Sequence, residues 1–263
     1  MGQLDGKVAL ITGGASGIGK ATATRLAAAG ARICCVDIDP RGQAVADEVG
    51  GIFVTADAGE ASDVDNAFAT CVSELGRVDI AYLNAGIAIG VADLTLLDDQ
   101  VYERIMRVNV DGVVFGTRAA IRSMRDNGGG AIVATSSLAG IIPFPPDPVY
   151  DLSKHAVVGF IRSVAPTLGP LGITANTVNP GMTDTNILTD EAKKFFAKAD
   201  FPLMPAEQIA EAVLAIVTTG RTGECWVCQP GRDAEPYRFH DVPGPRARGA
   251  AGRRPPQVDD WTN

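Results

Sequence analysis

The chain has 263 residues, 46% of them hydrophobic, and a formal net charge of −8 at pH 7. This length is ordinary for one α/β domain and allows a large buried core. The acidic balance argues against a nucleic-acid partner or an anionic membrane surface, because those partners need clustered basic residues, whereas a small neutral or cationic partner is easier to accommodate.

The first predicted unit is a strand, a glycine-rich loop and a helix. Residues 8–11 form a short apolar run typical of a buried parallel strand, and a helical stretch ends at Gly30. Between them, Gly13, Gly17 and Gly19 allow a tight turn and let backbone N–H groups approach a pyrophosphate at the positive end of the helix. Their spacing, G-x-x-x-G-x-G, is a variant of the usual dinucleotide fingerprint, and a plain flexible turn is the alternative at this point.

Asp37 stands at the end of the second predicted strand, residues 31–36, about 20 residues beyond the glycine loop. A carboxylate in this place can hold both hydroxyls of an adenosine ribose, and it would repel a 2′-phosphate. Ala15, Ser16 and Ile38 offer no cation to such a phosphate. The pattern therefore favours NAD over NADP, with an ordinary turn residue as the alternative for Asp37.

The alternation of strands and helices continues through the middle of the chain. A strand over residues 52–55 leads to Asp57, and a helix capped by Ser62 follows. A fourth strand, residues 78–83, ends in small residues suited to a close approach between the backbone and a cofactor. These are Asn84, Ala85 and Gly86.

A long helix is predicted over residues 99–125, with Asp98 as its cap. Asn109 lies in the middle of this helix, where asparagine is a mediocre helix former. A buried role would explain its presence, and a plain surface position is the alternative.

The fifth predicted strand, residues 131–135, delivers Ser136 and Ser137 to its C-terminal end. Open α/β sheets bind their ligands at this end of the strands. Serines are also common there as simple turn formers.

Tyr150 and Lys154 lie four residues apart in a stretch, residues 149–168, whose apolar positions recur mostly at helical spacing. They therefore share one face of a helix. A phenol titrates near ~10, so work as a base at neutral pH needs about 4 kcal/mol of preferential phenolate stabilisation. The Lys154 ammonium would supply part of it, although an exposed helix pair is the alternative for these two residues alone.

The last part of the pattern contains a sixth strand, a long irregular segment, a helix over residues 206–219 and a seventh strand over residues 225–228. The segment 182–205 is longer than most loops, and such loops are usually lids or binding loops. Its large apolar side chains predict a short amphipathic lid, or packing on the core or on a neighbouring subunit. They are Leu188, Phe195, Phe196, Phe201, Leu203 and Met204. Lys193, Lys194 and Lys198 would form the solvent-exposed face of the segment.

Together these elements predict an α/β fold with one domain over residues 1–240. We expect a doubly wound parallel sheet of about seven strands with helices on both faces. Residues 241–263 are rich in proline, glycine and arginine and look like a linker-like tail without its own core.

Cysteine usage and the N-terminal sequence bear on the compartment. The five cysteines are an odd number without the spacing of a disulfide scaffold. Cys225 and Cys228 match C-x-x-C, but they lie in an apolar strand-like run without nearby histidines, so we expect no metal site there. Residues 1–8 lack the pattern of a signal peptide, and no apolar run reaches about 18 residues, so we expect a soluble cytoplasmic protein.

The ordered motifs resemble those of the short-chain dehydrogenase/reductase family over about residues 7 to 240. In chain order they are Thr12-Gly13-x-x-x-Gly17-x-Gly19, Asp37, Asp57, Asn84-Ala85-Gly86, Asn109, Ser137, Tyr150-x-x-x-Lys154 and Pro180-Gly181. The resemblance implies a Rossmann fold, NAD as the cofactor, and a homo-oligomer, tetramer or dimer, in which the helices at 99–125 and 150–168 pair across subunits.

The resemblance also implies roles for the cofactor-binding residues. The pyrophosphate and ribose would be lined by Gly13, Ser16, Gly17, Ile18 and Gly19. Asp37 would hold the adenosine ribose and Asp57 the adenine. Other cofactor contacts would come from Asn84, Ala85, Gly86, Tyr150, Lys154, Pro180 and Gly181, and the nicotinamide carboxamide would lie near Thr183 or Thr185.

The implied catalytic tetrad is Asn109, Ser137, Tyr150 and Lys154. Ser137 is chosen over its neighbour because the family's catalytic serine stands thirteen residues before the tyrosine. Tyr150 would take the hydroxyl proton of an alcohol while hydride leaves the same carbon, with its pKa lowered by Lys154 and the cationic ring. Ser137 would bind the substrate oxygen, and Asn109 would hold a water that links Lys154 to solvent; no zinc is needed.

The expected activity is interconversion of a secondary alcohol and a ketone. If the lid forms, its apolar face and Phe144 predict a bulky, largely hydrocarbon substrate. One alternative is a catalytically silent dinucleotide-binding sensor or scaffold, which an intact tetrad disfavours. A sugar epimerase or dehydratase is another, but it would normally need a longer C-terminal substrate domain.

Overall fold

The computed structural model describes residues 2–240, so the predicted tail lies outside the described residues. One eight-stranded sheet runs through this part of the chain, in the order β3-β2-β1-β4-β5-β6-β7-β8. The strands are β1 (Val8–Thr12), β2 (Arg32–Asp37), β3 (Ile52–Thr55), β4 (Ile80–Leu83), β5 (Gly130–Thr135), β6 (Ile173–Pro180), β7 (Cys225–Cys228) and β8 (Glu235–Pro236). All neighbours are parallel except β7 and β8.

Helices cover both faces of the sheet. They are α1 (Gly17–Ala28), α2 (Gly42–Glu48), α3 (Ala61–Leu75), α4 (Asp99–Met106), α5 (Gly112–Met124), α6 (Pro148–Leu168), α7 (Asp190–Lys198) and α8 (Ala206–Thr218). One core lies under α3, α5 and α6, with Phe68 and Ile161 buried in it. A second core lies under α1, α2 and α8 on the opposite face, with Leu26 and Val213 buried in it. The central strands read as continuous apolar runs because both of their faces are covered.

The expected doubly wound architecture is confirmed, with one more strand than the sequence indicated. The eighth strand, β8, has only two residues and pairs antiparallel with β7. Two residues are too few to give a period-2 pattern, which is why the sequence did not reveal it.

The predicted long helix over 99–125 is interrupted by a π-helical turn at Arg107–Asp111. A π turn holds one more residue than an α turn, and such turns are frequent at functional sites. Asn109 lies in it and is fully buried, so the surface position is wrong. Asp98 caps α4 as predicted, its Oδ1 accepting bonds from the N–H groups of Gln100 and Val101.

Two smaller predictions about helices differ from the structure. The helix α3 begins at Ala61 with Glu60 as its N-cap, so Ser62 lies inside the helix and is not the cap. Helix α2 was not predicted, because its seven residues offer too short an apolar period.

The order of the strands places a crevice beyond the carboxyl ends of the central strands. The chain builds β1, β2 and β3 in one direction, then returns to the other side of β1 with β4. Ligands of open α/β sheets bind beyond the carboxyl ends of the strands at such a switch point. Over the described residues, no helix is long and apolar enough to span a bilayer.

Candidate active site

A cavity of about 860 Å³ opens beyond the carboxyl ends of β1, β4, β5 and β6. Its wall contains all the predicted site residues except Gly19 and Asn109. They are Gly13, Ser16, Gly17, Ile18, Asp37, Asp57, Asn84, Ala85, Gly86, Ser137, Tyr150, Lys154, Pro180, Gly181, Thr183 and Thr185. The fold therefore gathers residues that are up to 172 positions apart (185 − 13) around one space.

The glycine loop between β1 and α1 has the geometry of a cradle for a phosphate group. Gly13 has φ +66°, and a Cβ on it would lie 2.9 Å from the Cα of Ala85. Gly19 lies behind the wall, and a Cβ there would collide with the carbonyl oxygen of Gly13. A side chain at either position would push the loop away from α1 or from the end of β4. Glycine avoids this and keeps the backbone N–H groups at the start of α1 accessible.

Thr12 ties the ends of β1 and β4 together. Its Oγ1 accepts bonds from the N–H groups of Asn84 and Ala85, at 3.0 and 3.2 Å. The Asn84 amide donates in turn to the carbonyl oxygen of Gly13. These bonds hold Asn84 and Ala85 against the glycine loop.

Asp37 lies in the cavity wall and also orders the glycine loop. Its Oδ2 accepts a bond from the Ala15 N–H at 2.9 Å, and its Oδ1 accepts one from the Asp39 N–H. Arg41, the next cation along the chain, is paired with Asp39. Each oxygen of Asp37 keeps a second lone pair for a ribose hydroxyl.

Asp57 has a partner that the sequence did not indicate. Arg107, on the π turn, donates to Asp57 Oδ2 at 2.9 Å and also pairs with Glu60. The spacing of 50 residues between Arg107 and Asp57 carries no local signal, so only the fold could reveal this pair. The negative charge of Asp57 is thus balanced by Arg107 at the place where the resemblance predicts adenine binding.

Tyr150 and Lys154 lie one turn apart on α6 and face the cavity together. The Lys154 ammonium lies 5.5 Å from the centre of the Tyr150 ring and donates to the carbonyl oxygen of Thr135 at 3.0 Å. Lys154 is only 3% exposed. The exposed-pair alternative is therefore wrong for these residues.

The two serines after β5 face different partners. Ser136 is 2% exposed and donates its hydroxyl hydrogen to the Lys154 carbonyl oxygen at 2.9 Å. Ser137 is only partly buried, and its Oγ accepts a bond from the Ala139 N–H. Its proximity to Tyr150 is reflected in the opposing effect of its hydroxyl on the phenol's pKa. Both serines lie in the cavity wall, and the choice of Ser137 stays a prediction.

Asn109 is held behind the wall by bonds on both sides of its amide. Its Oδ1 accepts from the Ile87 N–H at 2.8 Å, and its Nδ2 donates to the Ile87 carbonyl and to Ser153 Oγ. Both amide hydrogens are used inside the protein. Of its side-chain atoms, only Oδ1 could therefore accept a further bond in the water relay that the resemblance implies.

Burial, rather than Lys154, dominates the titration of the phenol. It raises the pKa of Tyr150 to about 12, the Ser137 hydroxyl opposes this rise, and the Asp147 charge adds to it. Burial also lowers the pKa of Lys154 to about 8. Burial thus outweighs the groups that favour the phenolate, because both charged forms lose their hydration, and the lowering of the Tyr150 pKa by Lys154 together with a cationic ring stays a prediction.

The predicted lid segment, residues 182–205, contains the helix α7 and divides its apolar side chains between two surroundings. Leu188 and Phe201 line the cavity, whereas Met204 is buried in the core. Phe195 is 67% exposed and is not part of the wall. Packing on the protein's own core is thus correct for Met204, and the lid remains a prediction for the others.

Phe144 forms another apolar part of the wall. Its ring meets that of Tyr150 edge to face, with 6.4 Å between centroids. Its backbone N–H donates to Asp151 Oδ1 at 2.8 Å, which joins the proline-rich loop to α6. Two more residues beside the site were missed, Arg107 and Asp147. The links of Arg107 to Asp57 and of Asp147 to residues 89–90 are distant in the sequence, whereas an aspartate before a proline at a helix start is a local N-cap signal that could have found Asp147.

Comparisons with known proteins identify the family of the chain. The family model for short chain dehydrogenase matches residues 7–194. The chain is 36% identical over 225 residues to a mitochondrial borneol dehydrogenase of Lavandula x intermedia, covering 82% of this chain and 85% of that one. It is 37% identical over 191 residues to 3beta-hydroxysteroid dehydrogenase 2 of Eggerthella lenta, covering 70% and 74%.

A solved structure extends the similarity to the fold. It is the 3-ketoacyl-(acyl-carrier-protein) reductase of Brucella melitensis complexed with NADH, with a TM-score of 0.81 and 33% identity, covering 88% of this chain and 99% of that one. The matched sequence, the fold and the converging side chains agree: the chain belongs to the short-chain dehydrogenase/reductase family, whose oxidoreductases act on CH–OH or carbonyl groups.

Proposed function

We propose that this protein is an NAD-dependent oxidoreductase that interconverts a secondary alcohol and a ketone. The observation that carries the proposal is the convergence of Ser137, Tyr150 and Lys154 on one wall of the cavity whose other end holds the glycine loop and Asp37. An intact set of these groups disfavours a silent dinucleotide-binding protein, which would not need them.

In the proposed reaction, Tyr150 moves the proton of the substrate oxygen. In the direction of oxidation its phenolate accepts the alcohol proton, and in the direction of reduction its phenol returns it. Ser137 donates a hydrogen bond to the same oxygen and so fixes its position. NAD, when bound, would accept or return the hydride, and its oxidised ring would add a positive charge beside the phenol.

Lys154 and Asn109 support Tyr150 from behind the wall. The Lys154 ammonium favours the phenolate, and its bond to Thr135 holds it beside the ring. The Asn109 oxygen and the Lys154 nitrogen both lie close to Gly86. A water accepted at this place would connect the ammonium to solvent.

The preference for NAD rests on Asp37. Its charge at the end of β2 would meet a 2′-phosphate as a like charge, while its free lone pairs suit two ribose hydroxyls. The nearest following cation, Arg41, is occupied by Asp39. A relative in the same family is known with NADH bound, which supports a nicotinamide cofactor here.

A bulky, largely hydrocarbon substrate fits the cavity best. Phe144, Leu188 and Phe201 form an apolar wall, joined by Ile142 and Ile187. Two relatives are named for dehydrogenation of borneol and of a 3beta-hydroxysteroid, both alicyclic alcohols. Small polyols should be poor substrates, because the apolar wall would leave their hydroxyls unpaired.

The assembly and compartment are also part of the proposal. Exposed apolar side chains, Tyr102 on α4 and Leu152 on α6, favour pairing of these helices with a second copy in a dimer or tetramer. All five cysteines are free and buried, which favours a reducing compartment such as the cytoplasm.

A substrate screen tests the proposed function. The purified protein would be incubated with NAD and a series of secondary alcohols, from small polyols to borneol and a 3β-hydroxysteroid, and NADH formation followed by its absorbance. We expect turnover of the alicyclic alcohols and little or none of the polyols. Absence of turnover with every alcohol, and with the matching ketones plus NADH, would refute the proposal.

A further inference from the structure

Asp147 is a buried carboxylate next to the active site that the proposed chemistry does not use. It is 1% exposed, and no lysine, arginine or histidine of the described chain forms an ion pair with it. A buried carboxylate without a cation is costly unless hydrogen bonds compensate it. Three backbone N–H groups provide those bonds.

The three donors belong to two separate segments of the chain. One carboxylate oxygen, Oδ1, accepts from the Tyr150 N–H at 3.0 Å and so caps the first turn of α6. The other oxygen, Oδ2, accepts from the N–H groups of Ile89 and Gly90 at 2.9 and 2.7 Å. Asp147 thus joins the helix that carries the phenol to a loop 57 residues earlier.

The first two residues of that loop, Ile87 and Ala88, line the cavity, and we name residues 87–90 the wall loop. Its first residue, Ile87, is fixed on both its N–H and its carbonyl by Asn109, which also donates to Ser153 on α6. The wall loop is therefore attached to α6 at two places. Asn109 holds one end through Ser153, and Asp147 holds the other end directly.

A comparison within the molecule shows that this is more than an ordinary helix cap. Asp98, the cap of α4, is exposed, and its Oδ1 alone accepts both helix N–H bonds. Within residues 2–240, its other oxygen makes no hydrogen bond to a second segment. Asp147 differs by directing its second oxygen to the wall loop and by being buried.

We propose that Asp147 is a positioning residue for the reaction at Tyr150. Its carboxylate fixes the distance between the wall loop, against which a substrate would lie, and the first turn of α6, from which the phenol projects. The inference rests on the proposed alcohol oxidation for its kinetic consequence only. The attachment itself is a property of the folded chain.

The test compares Asp147→Asn with Asp98→Asn. Asparagine keeps one acceptor oxygen for a helix N–H but presents an NH₂ group to the second segment, so Asp147→Asn loses the bonds to the wall loop or the cap. We expect kcat of this variant for borneol with NAD to fall about 10-fold or more, because small misplacements of the reacting groups reduce the rate strongly. Here kcat is calculated per site that can bind NADH. The Kd of this variant for NADH should stay within about twofold of the wild-type value, and Asp98→Asn should keep the wild-type kcat.

Hydrogen exchange provides a second measurement, which needs no substrate. The amides of Ile89 and Gly90 should be protected although Gly90 is exposed, and in Asp147→Asn the wall loop should exchange faster. Wild-type kcat in Asp147→Asn, or rapid exchange of both amides in the wild type, would overturn the proposal. Lack of wild-type turnover with every alcohol would instead count against the proposed function.

Discussion

Ser136 and Ser137 are adjacent, yet their hydroxyls serve different partners, and this difference is testable. Ser136 is bonded to the Lys154 carbonyl, while Ser137 lies beside the phenol. Ser137→Ala should lower kcat about 100-fold, since it removes a bond to the reacting oxygen. Ser136→Ala, the matched control, should cost stability but keep most of the activity. The reverse ranking in steady-state kinetics would mean that the wrong serine was assigned.

Asp37 should set the cofactor preference. Asp37→Ala should lower kcat/KM with NAD about 10-fold or more, because bonds to a charged acceptor are lost, while NADP use improves only modestly. Asp37→Asn keeps an acceptor for the Ala15 N–H and separates the effect of charge from that of loop order. Equal efficiency of the wild-type protein with NAD and NADP would contradict this role.

Lys154 should be a case in which function opposes stability. Its folded-state pKa is lowered by burial to about 8, so between that pH and its unfolded pKa the unfolded chain binds more protons. Stability should therefore rise with pH over this window, and at pH 7 the full burial penalty applies. Lys154→Met should raise the free energy of unfolding at pH 7 by about 2 kcal/mol while abolishing turnover. Denaturant unfolding at pH 7 and pH 10 measures this; an unchanged or larger gain at pH 10 would contradict it.

Some residue roles could be predicted from the sequence and others could not. The glycines, Asp37 and the Tyr150–Lys154 pair have local patterns, because loop geometry and helical spacing are local properties. Asp147 and Arg107 act through partners 57 and 50 positions away. No pattern in one sequence connects such positions, so the fold had to reveal them.

At the scale of elements, the lid segment gives a prediction with a matched pair. Phe201 lines the cavity, whereas Phe195 is largely exposed and is not part of the wall, although both aromatic residues belong to the lid segment. Phe201→Ala should raise KM for a bulky alicyclic alcohol about 10-fold, by loss of buried apolar contact, and Phe195→Ala should leave KM nearly unchanged. Equal effects of the two variants on KM would argue against this form of the lid.

The helices show where sequence patterns reach their limit. The sequence predicted one helix over 99–125 with Asp98 as its cap, and the chain does run helically there, but a π turn interrupts it. That turn keeps the chain helical and adds only one residue, so the prediction of a single helix did not reveal it. Only the unusual position of Asn109 indicated something special at this point.

At the scale of the whole molecule, the alternation of strands and helices was enough to predict a doubly wound sheet. The buried strands, both faces covered, and the crevice beside β1 and β4 follow from that alternation and from right-handed crossovers. The short antiparallel β8 follows from neither rule. The family membership agrees with this architecture, since the relatives share the fold and the site lies where such folds bind ligands.

The central claim is that Tyr150 carries out proton transfer in an NAD-dependent alcohol oxidation. The most direct test is to measure kcat for borneol with NAD, together with the Kd for NADH, in the wild-type protein and in Tyr150→Phe. We expect kcat to fall about 10²- to 10⁴-fold while the Kd for NADH changes less than about twofold, since only the hydroxyl is lost. A Tyr150→Phe protein that oxidises the alcohol at nearly the wild-type rate would contradict the claim.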